Sequence, residues 1–127
     1  MHVVTDDTSI EPEELRDLLS TDGCGSIVSF VGLTRGSDGA NEVHSLEFDA
    51  WGEKLPSVLE SIAQQAITKF GVSSVVIAHR TGIVLPGETI VCIHVGSKHR
   101  REGFEGCSWI IDELLSLIHI SEPTRPY

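Results

Sequence analysis

Four consecutive residues bring together the kinds of side chain that bind anions: Lys98, His99, Arg100 and Arg101. This basic cluster follows an apolar strand pattern and opens a helical one, so we expect it at a helix N-terminus. Unpaired backbone N–H groups and the positive end of the helix dipole favour anions there. Arginine clamps phosphate or carboxylate through two hydrogen bonds, and histidine donates a hydrogen bond or moves a proton near neutral pH. The sequence therefore indicates an anion site at this strand-to-helix junction.

Simpler interpretations of the cationic residues remain open. The basic cluster holds three of the nine lysines and arginines in a chain of net charge −10. A solvated turn that pairs with Glu102 and Glu105 has the same spacing. Arg35 ends a predicted strand and precedes a glycine-rich loop, so it is either a second anion-binding arm or a surface residue. Residues 36–39 lack the Gly-Lys-Ser/Thr of a P-loop.

The other reactive residue types give no catalytic pattern. The three cysteines stand far apart, at Cys24, Cys92 and Cys107. Their odd number and the lack of C-x-x-C spacing indicate neither a disulfide framework nor a zinc site, and they favour a reducing, cytoplasmic location. Cys107 lies about 12 Å along a helix from His99, too far for a nucleophile and its base, so we expect it in the core. The histidines of the strand candidates, His44, His79 and His94, have no partner at metal-ligand spacing.

Length and composition bound the class of protein. A chain of 127 residues with 40% hydrophobic and 22% charged residues suits one globular domain. Its net charge of −10 argues against nucleic acid or an anionic membrane surface as the main partner. We expect neither a signal peptide nor a membrane span, because no basic start precedes an apolar segment and no apolar run approaches the roughly 18 residues of a span.

Hydrophobic periodicity supplies the elements that must position the basic cluster. A helix start at Pro12 predicts a short helix that ends near Ser20. Strands are predicted over residues 26–34, 43–50, 72–79, 82–84 and 89–96, with a turn at residues 85–88. Helical spacing predicts the longest helix over residues 53–70 and a last helix from His99. Together these elements predict a single α+β domain.

Two details of this arrangement follow from the spacing. Residues 43–79 form a predicted strand–helix–strand unit with a right-handed crossover. On the last helix, the expected buried face consists of Phe104, Cys107, Ile111 and Leu114.

Three segments carry a family resemblance: residues 25–35 (GSIVSFVGLTR), residues 79–82 with 85–88 (HRTG and LPGE), and residues 97–105 (SKHRREGFE). With the long helix between the first two, they resemble the large, catalytic subunit of molybdopterin synthase, the MoaE family, from about Ile10 to Leu114. The resemblance implies an α/β-hammerhead type of α+β fold, with a mixed or antiparallel sheet and about three helices.

The resemblance also implies a function. Members of the family form homodimers. Each copy receives the C-terminal Gly-Gly thiocarboxylate of a small ubiquitin-like sulfur-carrier subunit, which gives a heterotetramer. Two sulfur transfers to cyclic pyranopterin monophosphate make the dithiolene of molybdopterin, in molybdenum cofactor biosynthesis. Neither a metal nor an organic cofactor is implied, because the sulfur arrives already activated on the carrier.

Carried onto this sequence, the resemblance implies a substrate pocket of five residues: Leu33, Thr34, Arg35, His99 and Arg100. The first three would line the pterin, and the last two would hold its phosphate or other anionic groups. Phe30, Lys98 and Arg101 are implied as residues around this pocket.

The chain departs from the family near its end. The family pattern has an active-site lysine directly after the match to Asp112-Glu113-Leu114 and another about two turns later, where this chain has Leu115 and about Glu122. Residues 115–127 also resemble a translated sequencing adapter. We therefore expect a native domain over residues 1–114, incomplete at its C-terminus, and a non-native tail. Without the lysines, the chain is expected to bind substrate weakly and to turn over poorly.

Other interpretations stay open. One is a genuine terminus, with a helix end near Ile120 and a polar tail broken by Pro123 and Pro126. A second is a non-catalytic subunit of the same fold that binds an anion or docks the carrier. A third is an unrelated anion-binding α+β domain.

Overall fold

A computed structural model describes residues 1–6, 9–34, 44–46, 55–116 and 120–121. These residues include three helices: α1 (Pro12–Arg16), α2 (Leu55–Phe70) and α3 (Arg100–Leu115). The strands are β1 (His2–Asp6), β2 (Ser26–Leu33), β3 (His44–Leu46), β4 (Ser74–Arg80), β5 (Gly82–Val84), β6 (Thr89–Ser97) and β7 (Ile120–Ser121). The predicted α+β class with three helices is confirmed.

The strands form two sheets. The larger has the order β1-β4-β6-β2, with β1 parallel to β4 and the other pairs antiparallel. The smaller has the order β5-β3-β7. Strand β2 is the outer strand of the larger sheet among the residues described. It pairs with β6 from Ser26 opposite Ser97 to Leu33 opposite Thr89. The two ends of β2 therefore lie beside opposite ends of β6.

The predicted strand–helix–strand unit over residues 43–79 is wrong as a unit. Strand β3 belongs to the smaller sheet and β4 to the larger one, where its parallel neighbour is β1. The two strands differ in pattern. Every residue of β4 is buried, which suits a strand covered on both faces, whereas residues 43–50 alternate, which suits a sheet with one covered face. Periodicity identified both strands but not the sheet that each one joins.

Helices α2 and α3 cover one face of the larger sheet. Leu59, Ala63 and Ala66 of α2 are buried in the main core, and Gly71 ends this helix with a φ of +72°. The opposite face is covered around α1, where Leu15 and Leu19 are buried. This helix ends at Arg16 and not near Ser20, because the chain tightens there into a turn in which Leu19 N–H donates to the carbonyl oxygen of Arg16 (3.2 Å).

The buried face of α3 differs from the predicted one. Cys107, Ile110 and Leu114 are buried, but Phe104 is exposed. The reason is the close approach of the helix to the sheet at Gly103, where a Cβ atom would lie 2.7 Å from Ser97 Oγ. Because of this close approach, the side of α3 that carries Gly103, Cys107 and Ile110 faces the sheet, and Phe104 lies outside the core.

Within the described ranges, no helix is long and apolar enough to cross a membrane.

Candidate anion-binding site

The basic cluster lies where β6 ends and α3 begins, as predicted. All four of its side chains are exposed. They line an open pocket of about 560 Å³ together with Gly25 and Ser26, at the start of the neighbouring strand β2. In the part of the chain that the structure describes, neither Lys98 nor Arg100 takes part in an ion pair, and Arg101 lies 3.8 Å from Glu105. Among the described residues, two of the cluster's three fixed charges, those of Lys98 and Arg100, are therefore free of an ion pair.

Close backbone contacts hold the pocket in shape. Gly25 N–H donates to the carbonyl oxygen of Ser97 (2.9 Å), and Ser97 Oγ donates to that of His99 (2.6 Å). A Cβ atom at position 25 would lie 2.6 Å from the carbonyl oxygen of Lys98, so only glycine fits there. His99 N–H donates to the Glu102 carboxylate (3.3 Å), which satisfies one of the donors at the start of α3.

The other end of β2 has a different character. Leu33 is exposed, while Thr34 is only 5% exposed and its Oγ1 atom has no hydrogen-bond partner among the residues that the structure describes. Both backbone polar groups of Thr34 are hydrogen-bonded: its N–H donates to the carbonyl oxygen of Glu88 (2.9 Å), and its carbonyl oxygen accepts from the N–H of Gly87 (2.7 Å). Arg35, the next residue in sequence, lies outside the described residues.

The turn that holds Thr34 is itself tied down by the Glu88 carboxylate. One of its oxygens accepts the N–H of Leu85 (2.7 Å), and the other lies 3.3 Å from a guanidinium nitrogen of buried Arg80. The hydrogen bond from Leu85, with a further contribution from Arg80, holds the pKa of Glu88 below its ordinary value.

Within one chain, the structure does not bring all the predicted pocket residues together. Leu33 and Thr34 lie at one end of β2, and the basic cluster, with His99 and Arg100, lies at the other. An eight-residue strand separates them by about 23 Å, at roughly 3.3 Å per residue. Phe30 lies between them, partly buried against the main core. The expected pocket is therefore two half-sites in a single chain.

The buried cysteines and histidines act as core residues, as expected. Burial raises the pKa of Cys92 and of Cys107 to about 11, so both thiols stay protonated at neutral pH. Burial lowers the pKa of His79, whose Nδ1 donates to the carbonyl oxygen of Arg80 (2.6 Å). His94 is buried between Ser29 Oγ (2.7 Å) and the carbonyl oxygen of Pro12 (2.9 Å). The side chain of His44 lies outside the part described.

Sequence reasoning missed the residues that shape the two half-sites. Gly25 and Ser26 were expected only as the beginning of a strand, and Glu88 only as part of a turn. Each acquires its role through a partner distant in sequence. One signal was available: these residues belong to the segments that carry the family resemblance.

Comparison with known proteins identifies the family. The MoaE protein family matches residues 5–116. The molybdopterin synthase catalytic subunit of Caulobacter vibrioides is 39% identical over 92 residues, which is 72% of this chain and 60% of that protein. The Pyrococcus abyssi protein of the same name is 36% identical over 102 residues, which is 80% of this chain and 69% of that one. The match spans 52% of the Arabidopsis thaliana relative, so the chain corresponds to only part of the length of several relatives.

Solved structures agree with the fold. The MoaE protein from Burkholderia ambifaria superposes with a TM-score of 0.77 at 26% identity, over 90% of this chain and 76% of that one. The Helicobacter pylori complex of subunits 1 and 2 of molybdopterin-converting factor contains a chain that superposes with a TM-score of 0.66 at 21% identity, over 89% of this chain and 75% of that one. The chain belongs to the MoaE family.

Proposed function

We propose that this chain is the catalytic subunit of a molybdopterin synthase. In this reaction, the thiocarboxylate of a small carrier subunit donates sulfur to cyclic pyranopterin monophosphate. The observation that carries the proposal is the basic cluster: an acidic chain places four exposed basic side chains around one open pocket at a helix N-terminus. The names of the relatives and the extent of their match support it.

Each part of the pocket has a task in such a reaction. The guanidinium of Arg100 and the imidazole of His99 would hold the substrate phosphate, helped by the N-terminus of α3. Lys98 adds positive charge where two anionic reactants, a phosphate ester and a thiocarboxylate, must approach each other. Such neutralisation lowers their repulsion, and fixed positioning makes the transfer effectively intramolecular. The sulfur is already activated on the carrier, so the remaining work is binding, orientation and proton transfer.

The proposal includes a carrier partner, a homodimer and a cytoplasmic location. The Helicobacter pylori complex of two converting-factor subunits is consistent with a small-subunit partner. The unpaired cysteines Cys24, Cys92 and Cys107 favour a reducing compartment. We further propose that residues 1–114 form the native domain and that residues 115–127 are a non-native tail.

On the alternative that residues 115–127 are native, Leu115 favours a second candidate, a non-catalytic binding subunit. This residue ends α3 with its side chain exposed, where the family pattern has an active-site lysine. A leucine cannot act as a cationic acid or stabilise a developing negative charge. A chain with the anion pocket but without this lysine would bind substrate and not turn it over.

Binding of cyclic pyranopterin monophosphate, measured by calorimetry, tests the anion pocket. Replacing Arg100→Ala is expected to weaken binding about tenfold or more, because a charge-assisted pair of hydrogen bonds is lost. The matched control is Arg16→Ala, which removes an arginine from the last turn of α1. Equal affinities for the wild type and Arg100→Ala would refute the assignment of the pocket.

Sulfur transfer separates the two candidates. Dithiolene formation is measured with a thiocarboxylated carrier for the wild type and for Leu115→Lys. A rise in turnover with the lysine supports an impaired catalytic subunit. Tight substrate binding without turnover in either protein supports the non-catalytic subunit.

A further inference from the structure

Ser97 places a fully buried hydroxyl group directly beneath the anion pocket. It is the last residue of β6 and is 0% exposed. The pocket above it is lined by the four residues of the basic cluster, which follow Ser97 in sequence, together with Gly25 and Ser26. Burying a hydroxyl group is unfavourable unless it is hydrogen-bonded, so the group that it binds shows what this serine does.

The hydroxyl group of Ser97 holds the first turn of α3. Its Oγ donates to the carbonyl oxygen of His99 (2.6 Å), the N-cap residue of this helix. His99 is still extended, with a φ of −124° and a ψ of 151°. The carbonyl oxygen of an N-cap residue also accepts the first hydrogen bond within the helix. The Ser97 hydroxyl therefore fixes the point at which the chain changes from strand to helix.

Two glycines allow Ser97 to contact both sides of the pocket. On the α3 side, a Cβ atom at Gly103 would lie 2.7 Å from Ser97 Oγ and 3.1 Å from Cγ2 of Val28, so the hydroxyl occupies space that this glycine leaves free. On the β2 side, Gly25 N–H donates to the carbonyl oxygen of Ser97 (2.9 Å). Ser97 thus connects the start of β2, through its backbone, with the start of α3, through its side chain.

The peptide group between His99 and Arg100 carries this contact to the pocket. A peptide group is planar and trans, so a hydrogen bond that holds the carbonyl group of His99 also sets the direction of the Arg100 N–H. In a helix the N–H groups point toward the N-terminus, so that of Arg100 points out of the start of α3, the end at which the pocket lies. Backbone N–H groups at this position are donors to anions.

We infer that Ser97 is a positioning residue for the anion pocket: its hydroxyl orients the peptide group between His99 and Arg100, and with it the basic cluster, for a bound phosphate group. Ser97 itself does not touch the ligand and acts through the residues that follow it. The identity of the ligand as a pterin phosphate rests on the proposed function, whereas the positioning requires only an anion of the phosphate class. A purely structural serine would affect stability and leave anion affinity unchanged.

Calorimetry of the full chain with inorganic phosphate, and separately with cyclic pyranopterin monophosphate, tests this role. Ser97→Ala is expected to weaken the binding of each ligand about three- to tenfold, the equivalent of one hydrogen bond. The matched control is Ser74→Ala on the neighbouring strand β4, because Ser74 is also buried and its Oγ donates to the carbonyl oxygen of Ser20 over the same 2.6 Å. Both variants should have a lower Tm, and only Ser97→Ala a lower affinity. Unchanged affinity in Ser97→Ala, or an equal loss in Ser74→Ala, would overturn the inference.

A double variant separates positioning from stability. In Ser97→Ala with Gly103→Ala, the new methyl group fills the space that the hydroxyl leaves, and alanine favours a helix more than glycine does. The Tm is therefore expected to rise above that of Ser97→Ala. The affinity for phosphate should stay at the reduced level, because nothing replaces the hydrogen bond to His99. Recovery of the affinity together with the Tm would show that Ser97 acts only through stability, and the inference would be wrong.

The two ligands distinguish this inference from the proposed function. If the wild type binds inorganic phosphate but not the pterin, and Ser97→Ala weakens phosphate binding, the proposed function fails and the positioning role stands. If the wild type binds the pterin and Ser97→Ala binds it equally well, the positioning role fails and the proposed function stands. A wild type that binds neither ligand contradicts both.

Discussion

The two ends of strand β2, which carry the two parts of the proposed pocket, differ in how their residues are held. At the Ser26 end, cationic side chains are exposed and the backbone beneath them is held by close contacts, among them the hydrogen bond from Gly25 to Ser97. At the Thr34 end, the side chain is buried and the backbone is fixed by the turn at residues 85–88. The Ser26 end therefore supplies positive charge, and the Thr34 end supplies a rigid backbone.

This difference has an energetic consequence. Exposed cations contribute little to folding, so the Ser26 end can hold them close together at little loss of stability in an acidic protein. The Thr34 end is tied to the interior through Arg80, so a change there affects folding and position together. Substitutions at the two ends should therefore separate ligand binding from stability.

The largest expected effect is a loss of ligand binding when the Ser26 end is distorted. In Gly25→Val, the added side chain must displace the carbonyl group of Lys98, since even a Cβ atom would lie 2.6 Å from its oxygen. We expect binding of cyclic pyranopterin monophosphate to fall about tenfold or more and stability to fall by about 1–3 kcal/mol, measured by calorimetry and urea unfolding. The control Gly23→Asn lies two residues away. It has open space around it and a φ of +74° that asparagine tolerates. Unchanged pterin binding in Gly25→Val would show that the close approach does not shape the pocket.

The next effect is a loss of stability at the Thr34 end with a defined pH dependence. Glu88→Gln removes the carboxylate that accepts from Leu85 and pairs with Arg80. We expect the Tm at pH 7 to fall on the order of 5 °C. The folded-state pKa of Glu88 is depressed, so its stabilising effect is complete above the ordinary value of 4.5 and is lost as the pH falls through the lower, folded-state pKa.

Thermal melts of the wild type and Glu88→Gln between pH 3 and pH 7 measure this difference. The Tm values of the two proteins should converge at the acid end of this pH range. Glu60→Gln, on the exposed side of α2, is the control and should follow the wild type at every pH. A gap in Tm that persists unchanged to pH 3 would contradict the assigned role of the carboxylate.

The parts of the molecule that sequence predicted well depend on local pattern. The apolar spacing of residues 53–70 predicted α2, and the change from apolar strand to basic residues predicted the start of α3 at His99. Hydrophobic spacing acts within a few residues, so it is visible in one sequence. The basic cluster was predicted for the same reason, because its four members are consecutive.

What the sequence did not predict depends on contacts between distant segments. Strand β3 joins the smaller sheet because of its pairing with β5, and no local pattern records this choice. Phe104 is exposed because Gly103 lies against Ser97, and the helical spacing alone allowed either residue to face the sheet. The separation of Thr34 from His99 likewise follows from the register of β2 against β6. The family resemblance assigned Thr34 and His99 to one pocket, but it gave no distance between them.

The smallest expected effect comes from the hydroxyl group of Thr34. Removing it should raise the stability of the protein and lower its affinity for the pterin. Thr34→Val keeps the shape of the side chain and removes a buried oxygen that has no hydrogen-bond partner within the described part of the chain. Because an unsatisfied buried hydroxyl is unfavourable, we expect the variant to be more stable than the wild type by about 1 kcal/mol in urea unfolding without ligand. If the hydroxyl binds the pterin, the affinity of the variant for cyclic pyranopterin monophosphate falls while its stability rises. Thr5→Val, on strand β1 at the opposite edge of the sheet, is exposed and should change neither quantity. Loss of stability in Thr34→Val would mean that the hydroxyl is already satisfied in the protein, and the Thr34 end would then be structural instead of a half-site.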